Sequence, residues 1–135
     1  MENKLKHMEM IQNIVNRMAS NSFLVKGWCV TLVSAVFVLS TKDANTMFIA
    51  VAFFPVLMFW ILDAYFLRQE RLFRKLYDQV RTTNESSIDF SMNTAPFTAI
   101  VASWLRVAFS QTLVLFYGAI LIAILLVVLL VNRII

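Results

Sequence analysis

The sequence predicts an all-α membrane protein with three transmembrane helices, an N-terminal amphipathic helix, and a long second span that continues into the cytoplasm. Three observations carry that fold class. Hydrophobic residues make up 60% of the 135 positions, too many for an ordinary water-soluble domain. With only two glycines and two prolines, few positions can interrupt a helix. The apolar residues also fall into long runs, separated by segments that hold nearly all of the charge. A chain of this length makes one domain at most.

Residues 1–22 bring Leu5, Met8, Ile11, Ile14, Val15, Met18 and Ala19 to one side of a helix, while Lys4, Lys6, His7, Glu9, Asn13, Asn16 and Arg17 fill the remainder. Such a helix either lies on a membrane surface or packs on a partner helix. The matching apolar face of a later segment favours packing. So polar a start is not a secretory signal. His7, the one histidine, has no nearby co-ligand for a metal and is expected to be a solvated helix residue.

The first span covers 23–40, FLVKGWCVTLVSAVFVLS, with Lys26 and Trp28 at its near boundary, where a long lysine stem and an indole both suit the headgroup level. Cys29 lies within this run and reads as packing; alone, it can form no internal disulfide. Residues 41–45, TKDAN, form a tight hairpin in which Asp43 or Asn45 caps the next helix.

The second span, 46–66, and a cytoplasmic arm, 67–82, are expected to form one continuous helix. At about 1.5 Å per residue it extends roughly 55 Å, well beyond a hydrocarbon core of about 30 Å. Pro55 removes a backbone donor, kinks the helix and leaves a carbonyl near Val51 in need of another partner. It is a packing feature or a gating hinge. Beyond it, Tyr65, Phe66, Leu72, Phe73, Leu76, Tyr77 and Val80 gather on one arc. Arg68, Glu70, Arg71, Arg74, Lys75, Asp78 and Arg81 fill the opposite arc, with Asp63 above them.

Residues 83–94 form a polar connector with Asp89, Asn93 and Thr94 as available caps. Residues 95–110 then read as an interfacial helix, with Trp104 and Arg106 at the headgroup level. The third span, 111–131, would be about 32 Å long, enough to cross once. In this topology Lys42 and Arg133 stand on one side, and the rest of the 12 Lys and Arg residues on the other. The positive-inside rule then puts the N-terminus and the arm in the cytoplasm, which for a bacterial chain means the inner membrane.

Little here can carry catalysis. HExxH, CxxC, GxSxG and glycine-rich phosphate loops are all absent, and no Ser or Cys has an evident base. The chain reads as a non-enzyme without metal or cofactor. No internal repeat points to a secondary transporter. The arm is the one site that invites a functional reading. Arg74 lies four residues from both Glu70 and Asp78 and is expected to pair with each, leaving Arg68, Arg71 and Lys75 without an intrahelical partner. Together with Arg74 and Arg81 they form a ligand-binding stripe suited to phosphates. For a single copy, anionic lipid headgroups are the simpler partner, above all for Arg68 and Arg71. Several copies about an axis would instead turn the stripes toward a shared chamber and let the spans line a pore closed by apolar rings. Two functions remain: a homo-oligomeric ion channel gated by an anionic ligand, or a membrane scaffold that recruits a soluble partner through the arm.

The stretches NRMASNSFLVKGWCVTL, residues 16–32, and DAYFLRQERLFRKLYD, residues 63–78, give this layout its flavour. It resembles the small multi-span membrane effectors encoded in bacterial antiphage defence operons, and among them the channel subunit of the Hailong system. That resemblance implies a tetrameric channel, gated by a single-stranded oligodeoxyadenylate that a companion nucleotidyltransferase makes. It carries no residue-level signature.

Overall fold

The computed structural model describes residues 2–40 and 46–134. The chain is helical throughout its ordered elements, with no strand among the described residues. Helix α1 spans Glu2–Ser40, α2 Thr46–Ala50, α3 Phe53–Thr82, α4 Trp104–Ala108 and α5 Gln111–Ile134. Two of these, α1 and α5, are long and apolar enough to cross a membrane. The hairpin expected at 41–45, with its caps Asp43 and Asn45, lies outside the described residues.

No break separates the expected amphipathic helix from the expected first span. The buried positions Ile11, Val15, Val25, Cys29 and Val33, with half-buried Met18 and Ser22 between them, continue one face along α1. An unbroken face removes any reason for the helix to end, and no Gly or Pro falls near residue 22. What changes there is the neighbour. The first half of α1 lies against the charged half of α3, and the second half lies against the apolar half of α3 and against α2.

Helices α1 and α3 run antiparallel along their whole shared length: Lys4 meets the end of α3 at Arg81 and Thr83, and Ser22 meets Asp63. Lys4 Nζ donates to the carbonyls of Arg81 (3.1 Å) and Thr83 (2.8 Å), placing a cation where α3 leaves its last carbonyls unpaired. Ile11, Leu72, Leu76, Val80, Phe97 and Val101 form the core of this half. Each buried side chain of this kind contributes about 1.5–3 kcal/mol. The apolar face of the arm is thus covered within one chain.

The helix expected to run unbroken over 46–82 is interrupted at Val51–Ala52, one turn before Pro55. The cause is local. Proline cannot donate to the Val51 carbonyl, and its ring crowds that oxygen. The carbonyl accepts instead from Phe54 N at 3.1 Å, and Ala52 N donates to Ile49 at 3.0 Å, so the chain tightens there before α3 begins. Pro55 therefore sits in the first turn of α3, where a missing N–H costs nothing.

Between α3 and α5 the chain folds back on itself. Asp89 Oδ1, Ser91 Oγ and Asn93 Oδ1 accept from the backbone N–H two residues on, each at 3.0 Å, so that local turns replace a helix. Thr94 makes no side-chain cap. Phe90 has φ of 58°, a left-handed conformation costly for a bulky residue, and its ring lies 5.5 Å from that of His7. His7 is buried under this loop, not solvated, and its Nε2 donates to the Ser91 carbonyl at 3.1 Å. Nor do residues 95–110 form an interfacial helix. They contain one 3-10 turn at Ala95–Phe97, irregular backbone, and the five-residue α4. Ser103 is the reason at the α4 end: extended at ψ 161°, it caps that helix by accepting from Arg106 N at 3.4 Å.

Candidate functional site

Two polar constellations lie on α3, one on its charged half and one at the junction of its halves. The charged half presents the residues that the sequence picks out. Arg71, Arg74 and Lys75, with Asp78, line a cleft of about 360 Å³ whose other wall is Ile100, Val101 and Ala102. Arg68 is separated from them. It lines a neighbouring cleft of about 450 Å³ with Arg106 and residues 98–103, and its Nε donates to the Ala102 carbonyl at 3.3 Å. Arg81 stands apart from both clefts at the end of α3, 3.9 Å from Asp78.

The ion pairing differs from a shared Arg74. Arg74 donates twice to one oxygen of Glu70, from Nε at 3.2 Å and from a terminal nitrogen at 2.8 Å, while Asp78 is left to Arg81. Nε and one terminal nitrogen of Arg74 turn back toward Glu70, away from Asp78 one turn on in the other direction. Among the described residues, neither Arg71 nor Lys75 has an ion-pair partner. Their charge is directed at the cleft and at solvent.

The second constellation centres on Asp63, which is fully buried. One carboxylate oxygen accepts from the Ser22 hydroxyl; the other accepts from Lys26 Nζ at 2.5 Å and from the Tyr117 hydroxyl at 2.8 Å. Lys26 also donates to Ser22 Oγ at 2.8 Å, and its Nζ lies 5.8 Å above the Phe116 ring. Three helices, α1, α3 and α5, therefore meet on one carboxylate. Trp60 stacks on Tyr117, with ring planes 7° apart, and donates Nε1 to the Ala108 carbonyl at 2.8 Å. A carboxylate this deep requires such donors, since an unpaired buried charge is strongly unfavourable.

Sequence reasoning treats Lys26 as a snorkelling lysine and Asp63 as the top of the charged arc, and passes over Ser22 and Tyr117. The signal was present in part. Ser22 and Lys26 share a face with buried Cys29, and Asp63 is the one acid bordering the apolar run of its helix. An opposite pair of charges on neighbouring apolar helices is a pairing hypothesis by default. Tyr117, 54 residues from Asp63 in a run of apolar residues, gives no such sign.

The cluster ties three helices together at one buried carboxylate. Lys26 donates to both Ser22 and Asp63, so α1 contributes two of the groups that meet there. Among the described residues no group of three or more His, Cys, Asp or Glu side chains could hold a metal ion. The chain matches no protein-family model, no curated protein and no solved structure.

Proposed function

We propose that this chain is the subunit of a homo-oligomeric membrane ion channel, closed at rest and opened by an anionic nucleotide or oligonucleotide bound on the cytoplasmic side. The observation that carries this is the placement of both constellations on α3. Arg71, Arg74 and Lys75 face one cleft, and the same helix holds the carboxylate that joins α1 to α5. A polyanion drawn into the cleft bears on α3 and on residues 100–102 together, and any displacement of α3 reaches the Asp63 cluster.

In this reading the chain passes the membrane three times: through the second half of α1, through α2 with the apolar start of α3, and through α5. The charge asymmetry directs the N-terminus and the charged half of α3 to the cytoplasm, at the bacterial inner membrane. The interior of one copy is closely packed around Cys29, Val56, Leu113 and Tyr117, so a conducting path requires several copies. Helix α1 exposes the small residues Gly27, Thr31, Ser34 and Ala35 on one side, and a Cβ at Gly27 would meet nothing within 4 Å. Small residues on an apolar helix allow a second helix to approach closely, and their hydroxyls suit a hydrated path. A tetramer, a defence role and a companion nucleotidyltransferase belong to the proposal through the resemblance alone.

A second reading has its own support. Because α1 and the folded-back segment already cover the apolar face of the arm, the arm needs no further copies to be stable. This favours a membrane scaffold that presents the charged face of α3 to a soluble partner. Purified protein in planar bilayers separates the two, with single-stranded oligodeoxyadenylate as the first ligand and inorganic polyphosphate as the second. The channel should conduct on addition of ligand. Arg71→Gln with Lys75→Gln should abolish that response, while Arg81→Gln, away from the cleft, should retain it. Silence with both ligands, together with a monomeric mass in mild detergent, would refute the channel and leave the scaffold.

A further inference from the structure

A groove of about 300 Å³ lies between α3 and α4. Its walls are Leu57, Trp60, Ile61, Trp104, Leu105 and Phe109, all apolar or aromatic. The two indoles cross-brace it. Trp60 Nε1 donates to the Ala108 carbonyl at 2.8 Å, and Trp104 Nε1 donates to the Ile61 carbonyl at 3.3 Å. With both N–H groups satisfied by backbone, the indoles offer the groove only their carbon faces. Two turns beyond Ile61 along α3 stands Arg68, in the cleft it shares with Arg106.

Leu57, Ile61 and Arg68 fall on one stripe of α3, at spacings of one, two and three turns. From Leu57 to Arg68 the helix rises about 16 Å, close to the depth of one hydrocarbon leaflet at roughly 15 Å. The order along the axis is that of a lipid: an apolar slot first, then cations. No carboxylate lines either cavity, and among the described residues neither Arg68 nor Arg106 has an ion-pair partner. Two guanidiniums with no acid beside them disfavour the cationic group of a zwitterionic headgroup and favour a headgroup with net negative charge.

We infer that this surface is a binding site for one anionic glycerophospholipid, its acyl chain against Trp60 and Trp104 and its phosphate between Arg68 and Arg106. The inference rests on the membrane part of the proposed function and is independent of the channel and its ligand. Bound lipid would pin α4 to α3 at the level where the chain leaves the bilayer, beside the segment that also walls the Arg71 cleft.

Tryptophan quenching by brominated acyl chains tests the site directly, because two of the three tryptophans form it. Trp28, exposed on α1, would be changed to Phe so that it does not report bulk lipid. The full chain is reconstituted in phosphatidylcholine vesicles in which a small fraction of either phosphatidylglycerol or phosphatidylcholine carries the bromines. Brominated phosphatidylglycerol should reach half-quenching at about a tenfold lower mole fraction, the preference expected of two charge-assisted contacts. Arg68→Gln with Arg106→Gln should bring the two lipids to equal quenching, with quenching by brominated phosphatidylcholine unchanged. Arg106→Gln alone is the gentler variant, since Arg68 also holds the Ala102 carbonyl, and it should remove a large part of the preference. Equal quenching by the two lipids in the unaltered site, or a preference that survives both substitutions, would overturn the site. Absence of quenching by either lipid would overturn the membrane reading and the lipid site together.

Discussion

Replacing Lys26 by methionine should be among the most damaging single changes in this chain, and a second substitution should largely repair it. Asp63 has no exposed surface, whereas the Lys26 side chain retains 25% of its own. At an effective dielectric constant of about 20, attraction across their 2.5 Å contact is roughly 7 kcal/mol, much of it cancelled by the desolvation of both groups. Lys26→Met removes the attraction but leaves the carboxylate buried, facing only Ser22 and Tyr117, at an expected cost of about 3–5 kcal/mol. Adding Asp63→Asn removes the stranded charge and keeps the shape. The double variant should therefore be more stable than Lys26→Met alone, with a coupling of about 2–3 kcal/mol in the cycle. Asp63→Asn by itself should cost less than Lys26→Met, because a partly exposed lysine can turn its ammonium toward water. Denaturant titration in mixed micelles, followed by tryptophan emission, gives the four free energies. Additive effects, with coupling under about 0.5 kcal/mol, would refute a paired Lys26–Asp63 at the centre of the helix bundle.

Pro55→Ala returns an amide donor opposite the Val51 carbonyl; hydrogen exchange should then show protection running through residues 51–55 and α2 fused to α3, and an unchanged break would assign the interruption to tertiary packing instead. Single cysteines at Asn45 and Ser86, in a Cys29→Ala background, should react with an impermeant reagent from opposite faces of intact cells, and labelling of both from one face would refute the three-pass topology.

Some of this protein was legible without coordinates. Periodicity alone showed that Ile11 and Val15 lie on the same side of a helix as Met8 and Met18, and that Leu72, Leu76 and Val80 form a matching stripe. Helical spacing is a property of the backbone and needs no neighbour to be read. Pro55 also announced its effect, since a missing N–H acts on the carbonyl four residues back wherever the helix lies. The break itself was harder to foresee. Whether a proline kinks a helix or starts a new one depends on whether the preceding turn has anything to hold it, and Ile49 and Ala52 are held by the core around α5.

Tertiary structure alone decided the rest. The charges of Lys26 and Asp63 are plain in the sequence, but their meeting depends on the antiparallel register of α1 and α3, and the third donor comes from Tyr117 on a helix that enters from the far end of the chain. The fate of residues 95–110 was likewise invisible. Their composition suits a helix, yet Trp60, Trp104 and Arg68 donate to the carbonyls of Ala108, Ile61 and Ala102, bonds that link α3 to an interrupted backbone. The same holds for Arg71 and Arg68, three residues apart on one helix but facing different clefts, because the wall between them, residues 100–102, arrives from another part of the chain. Local spacing sets which side of a helix a residue occupies; what stands opposite that side is set by contacts between distant segments, and no local pattern encodes those.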